Sequence, residues 1–371
     1  MSNFKYFLLF LAFLFIFSRG IFEIYFDKVN SYILSLILFI FFFSLHAMLM
    51  KVKYIFSRKL IMYSIPLFLV SFISLLVTLI YTNHFLWVYL IYIMFFISLL
   101  IISDSMIFTY SSLKINQIFT ILLIILILAS LLQSFEVINL PGQSLYKTNI
   151  RPSSLTGSYL HYPLLLYLLF TLPYILKSKK KYSEILIYPS IILTYSRSLY
   201  LMTIIFLTMY HCIAKKNISF VIFSTVFFVV FLIIIYPDPI IRLIQTFDTS
   251  DISISGKIDR YIQAGSLYIK TNLLFGEYFG LFGNISKNMS NINSTALESS
   301  VSQILISTGL ISLFLYILTF RYIYLTSSQI FKIVLVPVFA HSLIYQSVEV
   351  MPYIILLFYL YSLDKNYMRS N

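Results

Sequence analysis

Residues 115–132 read INQIFTILLIILILASLL, a stretch of 18 residues without a single charge. An apolar stretch of this length can cross the hydrocarbon core of a bilayer as one α-helix. Similar stretches recur along the whole chain and predict further spans. The twelve predicted spans lie near residues 6–22, 32–50, 60–80, 85–102, 115–132, 158–176, 184–195, 198–214, 218–236, 299–320, 333–347 and 352–363.

The composition excludes a water-soluble protein. Of 371 residues, 60% are hydrophobic and only 11% are charged, whereas a soluble domain carries about 25% charged residues. The same hydrophobicity excludes intrinsic disorder. The net charge of +13 comes from short basic clusters between apolar runs, which is typical of membrane topology rather than of nucleic-acid binding. We therefore expect an all-α polytopic integral membrane protein with about 12 transmembrane helices, forming a single membrane domain over residues 1–371.

The positions of lysine and arginine predict the orientation of the spans. Basic clusters follow spans two, six and eight: Lys51, Lys53, Arg58, Lys59, Lys177, Lys179, Lys180, Lys181, Lys215 and Lys216. All of them lie on one face if both termini are cytoplasmic, and this arrangement divides the 26 basic residues into 16 inside and 10 outside. The 13 acidic residues divide into 3 inside and 10 outside. Since cytoplasmic loops carry the excess of positive charge, both termini are predicted to be cytoplasmic.

Residues 183–214 are too many for one helix and too few for two full spans. Two short helices would keep the basic clusters on both sides of this stretch inside, but each would reach only about 22 Å. The tip of that hairpin, Tyr195-Ser196-Arg197-Ser198, would then lie below the outer surface of a core about 30 Å thick. A sunken arginine that lines a cavity is a functional candidate.

Two of the outer loops are long. The first, residues 133–157, contains Arg151 and leads into span six. The second, residues 237–298, is predicted to be a large and partly helical loop before span ten. Within it, the apolar side chains of residues 257–270 follow helical spacing and predict an amphipathic helix lying on the membrane.

The candidate functional residues are charged side chains on the outer side. No nucleotide-binding, zinc-protease or paired-cysteine motif is present, and the five histidines are scattered, so neither a metal site nor a cofactor is predicted. The outer side instead carries Arg151, Arg197, Arg242 and Arg260, with Glu298 at the start of span ten. A guanidinium group suits phosphate because its planar fork donates two parallel hydrogen bonds and stays protonated. These residues predict an outward-facing site for an anionic lipid that carries a pyrophosphate.

Four of these residues also have a structural interpretation. Arg151 and Arg197 can be interfacial charges that snorkel to the membrane surface, and Arg260 can be a solvated charge on a surface helix. Glu298 can belong to a helix-capping box, because Thr295-Ala296-Leu297-Glu298 precedes an apolar run. The other outer carboxylates that could serve as a base are Glu136, Glu277 and Glu349.

Several short motifs stand in an order that resembles a known family. They are Arg151-Pro152-Ser153-Ser154-Leu155-Thr156-Gly157 followed by His161-Tyr162-Pro163, then Tyr195-Ser196-Arg197-Ser198, the 256–283 stretch around Arg260, and Glu298-Ser299-Ser300 followed by Ile306-Ser307-Thr308-Gly309-Leu310. Over residues 149–320 the chain resembles the O-antigen polymerases, within the O-antigen ligase/polymerase superfamily of bacterial membrane glycosyltransferases.

The resemblance implies a function in lipopolysaccharide biosynthesis. A protein of this family would be a metal-independent, inverting glycosyltransferase of the bacterial inner membrane, and it would join oligosaccharide repeat units carried on undecaprenyl pyrophosphate at the periplasmic face. Arg151, Arg197 and Arg260 would bind the donor pyrophosphate, and Glu298 would be the catalytic base. Ligases of the superfamily carry histidine at the position aligned with Glu298, so the glutamate favours a polymerase. The partners would be the bilayer and the lipid-linked glycans, with a chain-length regulator and a flippase, but no nucleic acid and no cofactor.

Three alternative functions stay open. An O-antigen ligase would transfer the finished polymer to lipid A-core, and a capsule or exopolysaccharide polymerase is equally compatible with the sequence. The alternative from another class is a flippase or transporter of lipid-linked oligosaccharides, which should show charged residues within its spans and internal repeats. Here the polar residues lie mainly at outer helix ends and in one large loop, which favours an enzyme.

Overall fold

The computed structural model describes residues 2–82, 87–146, 149–178, 196–214, 262–266, 273–280, 299–345 and 350–370, with residues 186, 190, 193, 194, 219, 259 and 347 as separate positions. Over these residues the chain is mostly helical. The helices are α1 (Ser2–Phe17), α2 (Arg19–Phe22), α3 (Lys28–Leu49), α4 (Arg58–Thr82), α5 (Trp87–Ser105), α6 (Ser112–Ser134), α7 (His161–Ile175), α8 (Arg197–Met209), α9 (Ser300–Thr326), α10 (Gln329–Ile344) and α11 (Met351–Ser370).

Short non-α elements lie between these helices. The strands are β1 (Lys53–Tyr54), β2 (Met106–Ile107), β3 (Ser144–Tyr146) and β4 (Asn149–Arg151), and β3 pairs with β4 in antiparallel register. A 3-10 turn covers Ser154–Thr156, and a π-helical turn, Tyr210–Ala214, continues α8. The prediction of an all-α fold did not include these strands, which are only two or three residues long.

Several described helices are suited to a membrane. Five are long and apolar enough to cross one: Asn30–Leu49, Arg58–Ile80, Ser112–Ser134, Arg197–Ala214 and Ser300–Thr326. Shorter apolar helices cover Asn3–Phe17, Tyr89–Ser105, His161–Ile175 and Gln329–Leu343. The prediction of a helical membrane protein is confirmed at this level.

Parts of the predicted layout fall outside the described residues. This applies to most of the spans predicted near residues 184–195 and 218–236 and to most of the loop over residues 237–298. Within that loop, residue 259 and residues 262–266 are helical, and the rest of the helix predicted over residues 257–270 lies outside the described residues.

Polar caps fix where the longer helices begin. Asp27, Ser111, Ser196, Ser299 and Ser328 each adopt an extended backbone, and each side chain accepts a hydrogen bond from a backbone N–H in the first turn of the following helix. Serine and aspartate are favoured at this position because the first N–H groups of a helix have no partner within it. The starts of α3, α6, α8, α9 and α10 are therefore determined locally by the sequence.

The chain forms two compact units. Unit 1 comprises Met1–Lys53, Ile107–Ile244 and Asn366–Asn371, and unit 2 comprises Tyr54–Met106 and Gln245–Lys365. Unit 1 thus contains α1 to α3 and α6 to α8, whereas unit 2 contains α4, α5, α9, α10 and most of α11.

In unit 1, α1 packs between α3 and α6. The Phe13 ring of α1 contacts Phe39 of α3 and Phe119 of α6, with centroid distances of 5.6 and 4.9 Å. The Tyr6 hydroxyl accepts a hydrogen bond from the Ser111 backbone N–H, at 2.9 Å, so α1 and α6 begin at the same end. Such aromatic contacts bury large apolar areas and favour edge-to-face geometry.

One end of unit 1 carries lysines from four separate parts of the chain, and we refer to it as the basic end. It contains Lys5, Lys51, Lys114 and Lys177. Lys114 Nζ donates to Asn3 Oδ1 at 2.8 Å, and His46 Nδ1 donates to the Lys5 carbonyl at 2.6 Å. The Asn116 amide, near the start of α6, lies 3.4 Å from the hydroxyl of Ser178, just after α7.

In unit 2, α4 runs antiparallel to α9, whereas α5 runs parallel to it. Near the end of α9, the Tyr322 hydroxyl donates to Ser57 Oγ at 2.8 Å and approaches Asp104 Oδ2, at the end of α5, to 3.4 Å. Near the start of α9, Gln303 Nε2 donates to the Tyr89 hydroxyl at 3.2 Å, at the start of α5. We call these two ends of unit 2 the Asp104 end and the Ser299 end.

The outer faces of several helices are exposed and apolar. Ile37 and Phe41 on α3 are 56% and 57% exposed, and Phe314 and Ile317 on α9 are 58% and 54% exposed. Exposure of so many apolar side chains to water is unfavourable, whereas their contact with lipid acyl chains is favourable. These faces fit a bilayer.

Candidate functional site

Residues 151–157 form a compact turn at one end of unit 1, which we call the motif end. Arg151 closes β4 and pairs with Ser144 of β3. The 3-10 turn Ser154–Thr156 follows, and Gly157 ends it with a left-handed φ of 68°. The turn then leads into α7, so it connects a strand to a membrane-suited helix within a few residues.

Gln133 of α6 positions this turn through two hydrogen bonds. Its Nε2 donates to Ser153 Oγ at 3.1 Å, and its Oε1 accepts from the Ser154 backbone N–H at 2.6 Å. The Ser153 hydroxyl donates to the Pro141 carbonyl, and the Ser154 hydroxyl donates to the Leu126 carbonyl, at 2.7 and 2.6 Å. All three polar side chains are fully buried. The serine pair of the sequence motif therefore fixes the shape of the turn.

Arg19 also positions this turn, through hydrogen bonds to two of its backbone carbonyls. Its Nε donates to the Thr156 carbonyl at 3.2 Å, and its Nη2 donates to the Gly157 carbonyl at 2.8 Å. Nη2 also forms an ion pair with Glu23 Oε1 at 2.9 Å, and the guanidinium lies 4.0 Å from the centre of the Tyr32 ring. Arg19 is only 4% exposed, so these contacts replace water around its charge.

Glycines allow this close packing. A Cβ at Gly157 would lie 2.8 Å from Glu23 Oε2 and 2.9 Å from Arg19 Nη2. A Cβ at Gly20 would lie 2.6 Å from the Gly157 nitrogen, and one at Gly142 would lie 2.1 Å from the Gly157 carbonyl oxygen. Three backbone segments therefore meet at a point where no side chain fits.

Sequence reasoning missed the Arg19–Glu23 pair. Burial raises the pKa of Glu23 above its usual value, and the positive charges of Arg19 and Lys28 oppose that increase. Arg19 and Glu23 stand at positions i and i+4 at the end of the first predicted span, and helical spacing brings opposite charges at such positions together. This i, i+4 spacing could have indicated the ion pair. Glu23 was not among the outer carboxylates predicted as possible bases.

Arg151 is half-buried beside this cluster. Its guanidinium carbon lies 4.3 Å from the centre of the Tyr159 ring, a distance at which a cation–π contact is favourable. Tyr159 is itself positioned by its backbone N–H, which donates to the Gly142 carbonyl at 2.9 Å. The side chain of Arg151 is thus held against the turn that it precedes in sequence.

Arg197 is the first residue of α8. Ser196 is its N-cap, and the Ser196 hydroxyl lies 3.4 Å from the Leu199 backbone N–H and 2.9 Å from the Ser198 hydroxyl. The start of a helix carries a partial positive charge, which adds to that of the guanidinium. This combination favours an anion at the start of α8.

Arg197 lies at the motif end of unit 1 because α7 and α8 run parallel. Tyr167 of α7 contacts Phe206 of α8, and Tyr174, two turns later, contacts both Phe206 and Tyr210. The two helices therefore advance in the same direction.

The same packing places Arg197 level with the start of α7. Phe170 lies nine residues after His161, Phe206 lies nine residues after Arg197, and the two rings are in contact at a centroid distance of 5.7 Å. Since both helices rise about 1.5 Å per residue, Arg197 and His161 begin their helices at similar heights. Arg151 and Arg197 are thus brought to the same end of one unit.

Unit 2 has its own unusual feature, a broken helix. Gly309 interrupts α9 with φ 76° and ψ −175°. The segment of residues 273–280 supplies backbone partners there: the Leu310 N–H donates to the Leu273 carbonyl at 3.0 Å, and the Glu277 N–H donates to the Ile306 carbonyl at 3.3 Å. Irregular backbone within a membrane domain is tolerated where protein satisfies its polar groups.

The segment of residues 273–280 also forms hydrogen bonds with helix α4. The Ser74 hydroxyl donates to the Phe275 carbonyl at 2.5 Å, and the Phe279 backbone N–H donates to Thr78 Oγ1 at 2.8 Å. Both polar side chains of α4 are buried. The segment therefore enters unit 2 alongside α4, and it carries the half-buried Glu277 with it.

The remaining predicted site residues lie outside the described part of the chain. They are Arg242, Arg260, Glu298 and the alternative base Glu349. The capping box predicted over residues 295–298 also lies outside the described residues; within them, α9 begins at Ser300 and Ser299 is its N-cap.

Comparisons with known proteins give no match. No family model, no curated protein and no solved structure matches this chain. Among the described residues, no group of three or more histidine, cysteine, aspartate or glutamate side chains is placed to hold a metal ion.

Proposed function

We propose that this protein is a membrane glycosyltransferase that polymerises oligosaccharide repeat units carried on undecaprenyl pyrophosphate, as an O-antigen polymerase does. One observation carries the proposal. Arg151 and Arg197, two of the arginines expected to bind pyrophosphate, lie at the motif end of unit 1, away from the lysines of its basic end. Both arginines are half-buried, and Arg151 lies against the Tyr159 ring, which suits the recognition of a fixed anionic group.

The proposed chemistry needs no metal ion. Arg151, Arg197 and Arg260 stabilise the negative charge that develops on the departing lipid pyrophosphate. Glu298 accepts the proton of the acceptor hydroxyl as that oxygen attacks the anomeric carbon. Attack from the side opposite the leaving group inverts the anomeric centre. The growing chain thereby passes from its own lipid to the non-reducing end of a new repeat unit.

The proposal includes a membrane topology. The protein spans the bacterial inner membrane about twelve times, with both termini and the basic end of unit 1 in the cytoplasm and the motif end facing the periplasm. The grouping of Lys5, Lys51, Lys114 and Lys177 at one end supports this orientation, since cytoplasmic ends are enriched in lysine. A reporter enzyme that is active only in the periplasm should be active when it is fused at residue 275. Activity of a cytoplasm-specific reporter at the same position would refute the orientation.

The function is tested by the surface polysaccharide of a deletion strain, separated on a gel. Loss of a polymerase leaves lipid A-core with a single repeat unit, whereas loss of a ligase or a flippase leaves bare core. Expression of the wild-type chain should restore a ladder of chain lengths. Bare core in the deletion strain would exclude the polymerase and favour one of those two alternatives.

A further inference from the structure

An apolar cavity of about 590 Å³ lies on unit 2 between α9, α10 and α11. Its floor includes Tyr316, Tyr353 and Leu357, which are buried. Its rim includes Ile317 and Leu343, which are 54% and 55% exposed. An apolar cavity with an apolar rim, on helices suited to a membrane, is open to hydrocarbon chains rather than to water.

One end of this cavity is positively charged. Of the described residues that line it, Arg321 alone carries a charge. Tyr324, one turn further along α9, also lines the cavity, and Lys332 Nζ of α10 lies 5.6 Å from the centre of its ring. Two cations from neighbouring helices therefore stand at the same end of the apolar cavity.

No acidic side chain neutralises these two cations within the described part of the chain. The carboxylates at this end of unit 2 are engaged elsewhere. Asp104 forms an ion pair with Lys365, and Asp364 accepts hydrogen bonds from the backbone N–H and the hydroxyl of Ser328. The charge of Arg321 and Lys332 is thus available to an anion from outside the chain.

The position of this charge distinguishes the ligand from the proposed glycan donor. Arg321 and Ser299 lie at opposite ends of α9. Arg321 belongs to the Asp104 end, where Tyr322 approaches Asp104, whereas the proposed base Glu298 directly precedes Ser299. A lipid with its phosphate at Arg321 would hold that phosphate far from the proposed site of sugar transfer.

We propose that this cavity binds an anionic phospholipid, with one acyl chain in the apolar part and the phosphate against Arg321 and Lys332. The acyl chain contributes burial of apolar surface, and the phosphate contributes charge-assisted hydrogen bonds from the guanidinium. Basic pockets between transmembrane helices are recognised lipid headgroup sites. The inference does not depend on the proposed glycosyltransferase activity.

The test measures lipid selectivity of the full-length protein in phosphatidylcholine nanodiscs that contain spin-labelled phosphatidylglycerol. The wild-type protein should immobilise phosphatidylglycerol in preference to spin-labelled phosphatidylcholine. Arg321→Ala should lower that preference about tenfold, since it removes a charge-assisted hydrogen bond. Ala340→Phe, which fills the cavity, should remove immobilisation of both lipids.

Two matched controls keep the result specific. Lys59→Ala removes an exposed cation near the Asp104 end, and Leu310→Phe adds an aromatic ring to an exposed position on α9 outside the cavity. Both should bind phosphatidylglycerol as the wild type does. Equal selectivity in Arg321→Ala and Lys59→Ala would overturn the proposal. Displacement of the labelled lipid by undecaprenyl phosphate, with the same dependence on Arg321, would also overturn it, because the cavity would then belong to the glycan carrier.

Discussion

The Arg19 side chain donates a hydrogen bond of 2.8 Å to the backbone carbonyl of Gly157. This contact joins the end of the first membrane-suited helix to a turn 138 residues later in the chain. It also brings a buried ion pair, Arg19 with Glu23, against the turn that follows Arg151. The position of Arg151 therefore depends on residues that the sequence motif does not include.

Arg19→Ala should destabilise the protein and reduce polymer length. The substitution leaves Glu23 as a buried carboxylate without its cation, and breaking a buried pair in this way costs about 3–5 kcal/mol. Thermal unfolding of the purified protein in detergent measures the loss of stability, and the glycan ladder measures the loss of activity. Lys28→Ala, an exposed cation of the same region, is the control and should change stability by less than about 0.5 kcal/mol. Equal effects of the two substitutions would contradict a structural role for Arg19.

Glu23→Gln should have an effect that depends on pH. Burial raises the pKa of Glu23 in the folded protein, so ionisation of this carboxyl disfavours the folded state. The wild-type protein loses stability as the pH rises from the usual carboxyl pKa to the raised pKa of folded Glu23, and the variant does not. The stability of the variant relative to wild type should therefore increase over this pH range and stay constant at higher pH. Unfolding temperatures of both proteins over a pH series measure this difference. If the stability of the variant relative to wild type instead falls with rising pH, the ion pair with Arg19 stabilises the ionised carboxylate more than burial destabilises it.

Gly157→Ala should be far more harmful than Gly265→Ala. A Cβ at Gly157 would lie within 3.0 Å of Arg19, Glu23 and Gly20, and the backbone there has φ 68°. A left-handed conformation alone costs about 1–2 kcal/mol for alanine. Gly265 has no heavy atom within 4 Å of such a Cβ, and alanine favours a helix. Protein yield in the membrane and ladder length measure both effects, and equal outcomes would argue against the tight packing at Gly157.

The helical character of the described residues could be predicted because long apolar runs are local signals. Helix starts depend on a few neighbouring residues too, as the caps at Ser196 and Ser328 show. The contacts around Gly157 could not be predicted in this way, since Arg19, Gly20 and Gly142 reach it from distant parts of the chain. The start of α9 is local as well, because Ser299 is a good N-cap and caps this helix.

Arg197→Lys should lose most polymerisation while the protein still inserts into the membrane. Lysine keeps the positive charge at the start of α8, but it lacks the planar fork that donates two parallel hydrogen bonds to a phosphate. Ladder length at matched protein level measures the effect. Arg58→Lys, at the exposed start of α4, is the matched control and should give a normal ladder. A full ladder from Arg197→Lys would mean that the residue serves only as an interfacial charge.

Glu298→Gln should separate catalysis from structure at the start of α9. The amide cannot accept a proton, and loss of a general base lowers the rate by about 10²–10⁴. Because Ser299 rather than Thr295 caps α9, the substitution should leave the helix start and the protein level unchanged. Ser299→Ala is the structural counterpart: loss of the cap should reduce stability by about 1 kcal/mol and leave most activity. Membranes with equal amounts of each variant should therefore show a single repeat unit for Glu298→Gln and a ladder for Ser299→Ala. A normal ladder from Glu298→Gln would transfer the role of base to another outer carboxylate, of which Glu277 lies beside the break in α9.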